Sequence, residues 1–276
     1  MISIKKMALV VLVFASMALN TMVAQQVNKY DEQGMKQGLW RKVYPNGNTA
    51  YEVNFKNDKP YGEFKRYHEN GKLSALLNYN IEGTYASATF YDEKSILTGT
   101  GFYKGTAKDS LWNYYSETKV LVLTENYKNG VKQGASISYY GNGKKYEVTT
   151  YENGKKQGPW QRYFETGELM QEIKFASDVR TGRFISYYKT KVPQTVGFFT
   201  NNIPTGKWIY YNEDATVNRE EEYKDGRPLN WEALEKAEAE RLRALEKQYK
   251  NVADPENFKN NPDEYLQRKR NEAKNK

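Results

Sequence analysis

At 276 residues, with no cysteine, one histidine and a formal net charge of +8, the chain has no disulfide framework and no thiolate or imidazole set for a transition metal. Apolar residues make up 38% and aromatic residues 14%, most of these being the 24 tyrosines, which excludes a thick aliphatic core and favours thin layers of amphipathic rings. With Lys5, Lys6 and the nearly balanced segment after Asn230 set aside, about +5 is spread over the remainder, too dilute for a nucleic-acid footprint.

Residues 1–24 are expected to be a secretory signal peptide. Lys5 and Lys6 form the charged segment, Met7 to Leu19 the apolar one, and Asn20 to Ala24 the approach to cleavage after Ala24, with Ala18 as the alternative. A membrane anchor would need ~20 apolar residues, more than this run supplies. Without a cysteine to carry lipid the product is not a lipoprotein, so the expected location is periplasmic or secreted.

From residue 25 to 228 one pattern repeats. An aromatic residue returns at a constant spacing of 24 at Phe55, Tyr79, Tyr103, Tyr127, Tyr151, Phe175, Phe199 and Tyr223. Seven residues after each, a small residue opens the next unit, usually with an aromatic two further on, as in Gly158/Trp160 and Gly206/Trp208. A fixed period of this length is one supersecondary unit copied in tandem. In the unit Gly134 to Gln157, Ile137–Tyr140 reads as a strand, Asn142-Gly143 as a tight turn with positive φ, Tyr146–Tyr151 as the returning strand and Asn153-Gly154 as the turn into the next unit. The same turns recur at Asn46-Gly47, Asn70-Gly71, Thr166-Gly167, Asn129-Gly130 and Asp225-Gly226. Short turns make consecutive strands antiparallel neighbours. The expected fold is mainly β, an elongated single-layer antiparallel β-meander of about eight hairpin repeats, roughly 75 to 80 Å long, with a C-terminal α-helical tail.

In the returning strand, Phe175 shares a face with Ile173, Tyr79 with Leu77 and Phe55 with Val53. In the first strand the opening aromatic and a recurrent tyrosine are three apart, on opposite faces unless a bulge intervenes. Equivalent rings of successive units are expected to lie too far apart to stack. The third unit is irregular, with Ala86, Ala88 and Ser95 at the usual glycine, aromatic and glycine positions and Gly99 and Gly101 inside the returning strand; Gly197 repeats this in the seventh. Such glycines mark a bulge or a close backbone approach, in units that are either degenerate copies or a bend where a partner docks.

Residues 229–276 form a helical segment and basic tail. Asn230 is a candidate N-cap, and Trp231, Leu234, Leu242, Leu245, Tyr249 and Val252 fall near helical spacing; the stripe either caps the exposed last strand or projects toward a partner. A second helix is expected to start at Asn261-Pro262-Asp263-Glu264.

The motif Gly158-Pro159-Trp160-Gln161-Arg162-Tyr163-Phe164-Glu165-Thr166-Gly167, with Tyr151-Glu152-Asn153-Gly154 before it, resembles the MORN repeat in its bacterial variant. The resemblance covers about residues 30 to 228. It implies a hairpin-repeat ribbon used for scaffolding, protein contact and, in some members, lipid contact. One bacterial branch is antitoxin-like, but an antitoxin against a cytoplasmic toxin would not carry an export signal.

No catalytic, cofactor-binding or metal-binding residues are expected. His68 stands where other units carry Tyr44, Asp92, Ser116 or Phe164, and so reads as a surface residue. Glu147 and Glu152 read as turn-flanking carboxylates without an apolar pocket to perturb them. The expected function is an exported non-enzymatic scaffold for a protein partner in the envelope, through Tyr115, Tyr139, Tyr163 and Tyr187 or through Trp231, Leu234, Leu242 and Leu245. The alternatives are a binder of membrane surface or cell-wall glycan, with weak contact, and an antitoxin-like inhibitor. No nucleic-acid partner is expected, and the oligomeric state is left open.

Overall fold

Two turn chemistries alternate along the chain and set its fold. Between units the turn is a two-residue one with both residues at positive φ, as at Asn153 (49°) and Gly154 (80°), Ser177 (49°) and Asp178 (70°), or Asn201 (51°) and Asn202 (67°). That is the type I′ geometry whose twist matches antiparallel strands. Within a unit the turn is longer, and only its last residue is left-handed, as at Gly143 (80°) or Gly167 (101°). Asn142-Gly143 is therefore not a two-residue hairpin with two positive φ angles. The Gly143 N–H donates to the Tyr140 carbonyl and the Tyr140 N–H to the Lys144 carbonyl, which is a type I turn closed by a left-handed residue.

The computed structural model describes residues 27–249 together with 263, 264, 266 and 267. The expected signal peptide, Val252 and most of the second helix lie outside the described residues, although Asp263, Glu264, Leu266 and Gln267 have helical backbone. The chain forms two compact units, divided between Lys119 and Val120.

In the first unit, β1 (Lys29–Tyr30), β2 (Lys36–Val43), β3 (Thr49–Lys56), β4 (Lys59–Tyr67), β5 (Leu73–Tyr79), β6 (Tyr85–Tyr91), β7 (Leu97–Lys104) and β8 (Ala107–Tyr115) follow in chain order. Each pairs antiparallel with the next. In the second, β9 (Leu121–Lys128), β10 (Val131–Tyr139), β11 (Lys145–Glu152), β12 (Lys155–Tyr163), β13 (Leu169–Ala176), β14 (Val179–Tyr187), β15 (Pro193–Thr200), β16 (Ile203–Tyr211), β17 (Val217–Lys224) and β18 (Arg227–Pro228) do the same, and α1 (Trp231–Tyr249) follows. The chain is thus mainly β, an antiparallel meander of hairpin repeats with a C-terminal helix.

The small residue that opens each unit is a bulge. Gly158 has φ +82°, while a side chain built on it would meet nothing within 4 Å. Conformation therefore selects glycine there, not space. The ladder from β11 to β12 shifts register beside it, between Thr149 and Tyr151. The third unit departs from this: with Ala86 at the position, the β5–β6 ladder runs unbroken from Ala75–Phe90 to Tyr79–Ala86. The extra length moves into the loop before β6, where Asn80 Oδ1 accepts the Thr84 and Tyr85 N–H groups at 2.8 and 3.0 Å.

Burial is concentrated on one face. Val53, Leu77, Ala86, Ala88 and Trp112 are buried in the first unit, and Ile173, Phe199 and Trp208 in the second, with Trp160, Phe175, Phe184 and Tyr223 packed against that second cluster. Residue by residue these are the positions that share a face with the repeating aromatic, and the rings meet edge-on, as in Tyr103–Trp112 at 5.0 Å and Phe199–Trp208 at 5.2 Å.

The interior glycines complete this face. A side-chain carbon on Gly197 would lie 2.1 Å from the Trp208 indole, and one on Gly101 would lie 2.2 Å from Trp112. Each tryptophan lies flat on glycine backbone. With no side chain at Gly197, the equivalent rings Phe184 and Trp208 of successive units stack at 5.8 Å with 29° between planes. Equivalent rings do stack here, and the close-approach reading of the irregular glycines is the one the structure supports.

Candidate interaction surface

Side chains tie each repeat to the next at fixed spacing. Tyr44 donates its hydroxyl to the Tyr67 carbonyl at 2.8 Å, Tyr140 to Tyr163 at 2.7 Å and Tyr188 to Tyr211 at 2.8 Å. Beside them, the amides of Asn46, Asn70 and Asn142 donate to the carbonyls of Glu69, Glu93 and Glu165. His68 belongs to this set. Its Nε2 lies 3.0 Å from the Tyr91 carbonyl oxygen, so the ring is a partly buried structural tie rather than a free surface residue. At the same position Asp92 instead caps its own turn, accepting the Lys94 and Ile96 N–H groups.

Glu147 also departs from the sequence reading. It lies within β11, receives Arg162 Nη2 at 3.0 Å and the Thr149 hydroxyl at 3.2 Å, and Arg162 in turn lies over the rings of Trp160 and Tyr146. Burial pushes its pKa up, but the Arg162 and neighbouring hydrogen bonds outweigh this and hold the carboxyl below its ordinary value. That is a structural ion pair, not a proton donor poised near neutrality. Among the described residues no group of three or more His, Asp or Glu side chains is placed to hold a metal ion, and no helix is long and apolar enough to cross a membrane.

The recurrent tyrosines lie on the face opposite the core. Tyr163 donates to Gln161 at 2.9 Å, which puts both on the side away from Trp160, and Tyr187 donates to Glu172 at 2.8 Å. Burial, then the Glu172 carboxylate, pushes Tyr187 up to about 12. Tyr139, Tyr163 and Tyr187 recur at equivalent positions in the second unit and Tyr115 in the first, all of them partly buried. On α1, Trp231, Leu234 and Leu242 are exposed and Leu245 is half-buried. Arg227 lies over the Trp231 ring at 5.0 Å, but Trp231 and Leu234 are not sealed against the sheet, so they do not form the buried cap that was one expectation.

Sequence reasoning missed the most exposed rings on the second face. Phe102 and Phe198 directly follow the interior glycines and point away from the tryptophans, 51% and 48% exposed. Around Phe102, the exposed Tyr85 and Leu111 occupy the adjoining strands β6 and β8, and the Phe102 carbonyl accepts the Trp112 indole N–H at 3.1 Å. The signal was present in the repeat itself. The same position holds Asn54, Asn78, Asn126, Thr150, Lys174 and Glu222 in the other units.

Tandem hairpins, bulged at one small residue and tied side chain to backbone, define a β-hairpin repeat protein. The family model described as MORN repeat variant matches residues 36–57, 60–80 and 156–176, and the chain carries repeats of that family, which serve in general as modules for contact with proteins or membrane lipid. No curated protein matches the chain. Among solved structures, one described as TcdB2-TccC3-TEV is similar over 68% of this chain and 12% of that chain, at 14% identity and a TM-score of 0.19, a likeness too loose to bear on function.

Proposed function

We propose that the chain is an exported, non-enzymatic repeat scaffold that binds a protein partner in the bacterial envelope through the face opposite its core. The observation that carries this reading is the pair Phe102 and Phe198. Two repeats replace the polar residue of the other six with a half-exposed phenylalanine. Phe102 with the exposed Tyr85 and Leu111 beside it makes an apolar patch of the kind that marks interaction sites, and aromatic anchors dominate protein interfaces. The recurrent tyrosines Tyr139, Tyr163 and Tyr187 add partly buried amphipathic rings to that face of the second unit, and Tyr115 to that of the first. Export rests on the charged, apolar and small-residue order of residues 1–24.

The double variant Phe102→Asn, Phe198→Asn restores the polar repeat pattern and leaves the core face untouched. Its loss of partner recovery in native-cell crosslinking, with an unchanged melting temperature, is the expected result. Equal recovery by both proteins, or retention of the unprocessed chain inside the cell, would count against the reading. Liposome and peptidoglycan co-sedimentation at low salt separates a lipid or glycan ligand from a protein one.

A further inference from the structure

The two exposed phenylalanines sit in different electrostatic settings. Phe102 is opposite Ser87 on one neighbouring strand and Asp109 on the other, whereas Phe198 is opposite Arg183 and Thr205. Residues directly opposite each other in an antiparallel pair hold their Cβ atoms about 4.5 to 5.5 Å apart, so Arg183 and Phe198 are immediate neighbours. In other repeats the same row pairs Leu39 with Asn54, Glu63 with Asn78, Ala135 with Thr150 and Lys207 with Glu222. Among the described ladders of this row, a cation meets an aromatic ring only in the seventh repeat.

A second cation stands beside the first. Arg183 lies between Thr181 and Ile185, which the ladder pairs with Lys174 and Glu172 of β13, so Arg183 and Lys174 are neighbours across strands. Lys174 lies between the inward Ile173 and Phe175, and Arg183 precedes the inward Phe184, so both side chains leave the sheet on the face of Phe198. Both are exposed, and neither makes an ion pair among the described residues. Ile203 adds an exposed apolar side chain to the same face, opposite Thr200 and two residues along from Phe198.

The carboxylates of this face are engaged or lie on the other side of the ring. Glu172 accepts the Tyr187 hydroxyl at 2.8 Å, and Glu220 pairs with Lys207 at 2.7 Å. Glu222 stands opposite Lys207 on β17, beyond Phe198 as seen from Arg183. The surface around Phe198 is therefore polarised: two uncompensated cations flank it toward β13 and β14, and the negative charge lies toward β17.

Covering Phe198 with a partner also strips water from Arg183, and a desolvated cation without a counter-charge is costly. We propose that the Phe198 surface receives a protein segment that sets an apolar side chain against Phe198 and Ile203 and an acidic one, Asp or Glu, against Arg183, with Lys174 steering its approach. This rests on the reading of Phe198 as a partner contact and adds the chemistry of what binds there. An anionic membrane is the less suited source of negative charge, because a plane of headgroups would meet Glu172, Glu220 and Glu222 together with the cations. A segment with one or two acids meets Arg183 and Lys174 alone. Phe102, with Asp109 opposite it, is not a place for such a segment.

The test places a photo-crosslinking phenylalanine analogue at Phe198 of the full chain in the native cell and reads both the yield and the sequence of the attached segment. The expected result is a crosslinked peptide with Asp or Glu within about three residues of the attachment point, and a yield lower by about tenfold or more in the variant Lys174→Glu, Arg183→Glu. The charge-preserving variant Lys174→Arg, Arg183→Lys is expected to keep the yield, and the same analogue at Phe102 to be indifferent to both variants, which separates local charge from a damaged fold. A product at Phe198 that survives the charge reversal, or whose attached segment lacks a carboxylate, would overturn the proposal and leave Phe198 as a partner contact. No product at Phe198 in the parent chain would take down both. Attachment to lipid, with binding to vesicles of phosphatidylcholine and phosphatidylglycerol lost on charge reversal, would overturn it in favour of an anionic membrane.

Discussion

His68 Nε2 lies 3.0 Å from the backbone carbonyl oxygen of Tyr91, the contact that Tyr44 makes through its hydroxyl to Tyr67 one repeat earlier at 2.8 Å. The chain's only histidine thus does a tyrosine's work. One such bond contributes about 1 kcal/mol. His68→Ala is expected to lower unfolding free energy by roughly that amount and His68→Tyr to restore it to within about 0.5 kcal/mol, as read by chemical denaturation. Equal stability of His68→Ala and the parent would show that the contact is ornamental.

The sequence hid this role because the position tolerates several chemistries. Tyr and His reach the neighbouring carbonyl, whereas Asp92 turns back on its own loop, so variation in residue type looked like absence of constraint. Period, strand order and the core face were legible, since Phe55, Tyr79 and Phe175 mark them at constant spacing. The meaning of Gly101 and Gly197 was legible only as an alternative, because what presses on them, Trp112 and Trp208, sits on the next strand. Phe102 and Phe198 were in plain view but are recognisable only by comparing one repeat position across all units.

Trp208 on Gly197 predicts strong coupling. A methyl at Gly197 would sit 2.1 Å from the indole, so Gly197→Ala should destabilise by about 1 to 3 kcal/mol or more through overpacking. In a Trp208→Leu background the same change should cost much less, the difference being an interaction energy of about 1 kcal/mol or more in a double-mutant cycle. Additive effects would mean that the ring does not rest on the glycine.

Ala215 is held at φ 66° in the turn where Gly143 and Gly167 serve other units. A left-handed conformation costs an ordinary residue about 1 to 2 kcal/mol, partly offset by the extra chain entropy that glycine loses on folding. Ala215→Gly should therefore stabilise by up to about 1 kcal/mol, and Gly143→Ala should destabilise by about 1 kcal/mol or more. Thermal melts of the two variants moving in opposite directions would bear this out; a lower midpoint for Ala215→Gly would not.

Tyr187 ties alkaline pH to stability. Its folded pKa is raised to about 12 by burial and by Glu172, and burial likewise raises Tyr79, Tyr140 and Tyr223. A raised pKa means that the stabilisation is fully present below the ordinary tyrosine value of about 10 and is lost as pH climbs through the folded value. Tyr187→Phe should cost about 1 kcal/mol at pH 7 and a smaller amount near pH 12, so that denaturation curves of the two proteins converge. A constant gap between them across that range would contradict the assignment.

The central claim is that the face opposite the core, bearing Phe102 in the first unit and Phe198 in the second, is in each unit a place where a partner binds. The most direct measurement places a photo-crosslinking amino acid at Phe102, and separately at Phe198 and at the exposed Lys72, in the native cell, with the crosslinked species identified by mass spectrometry. The account predicts one discrete envelope protein attached from Phe102 or Phe198, none from Lys72, and loss of the Phe102 product when the neighbouring Leu111 is changed to Asp. Crosslinks absent from both phenylalanine positions, or equal at Lys72, would contradict it.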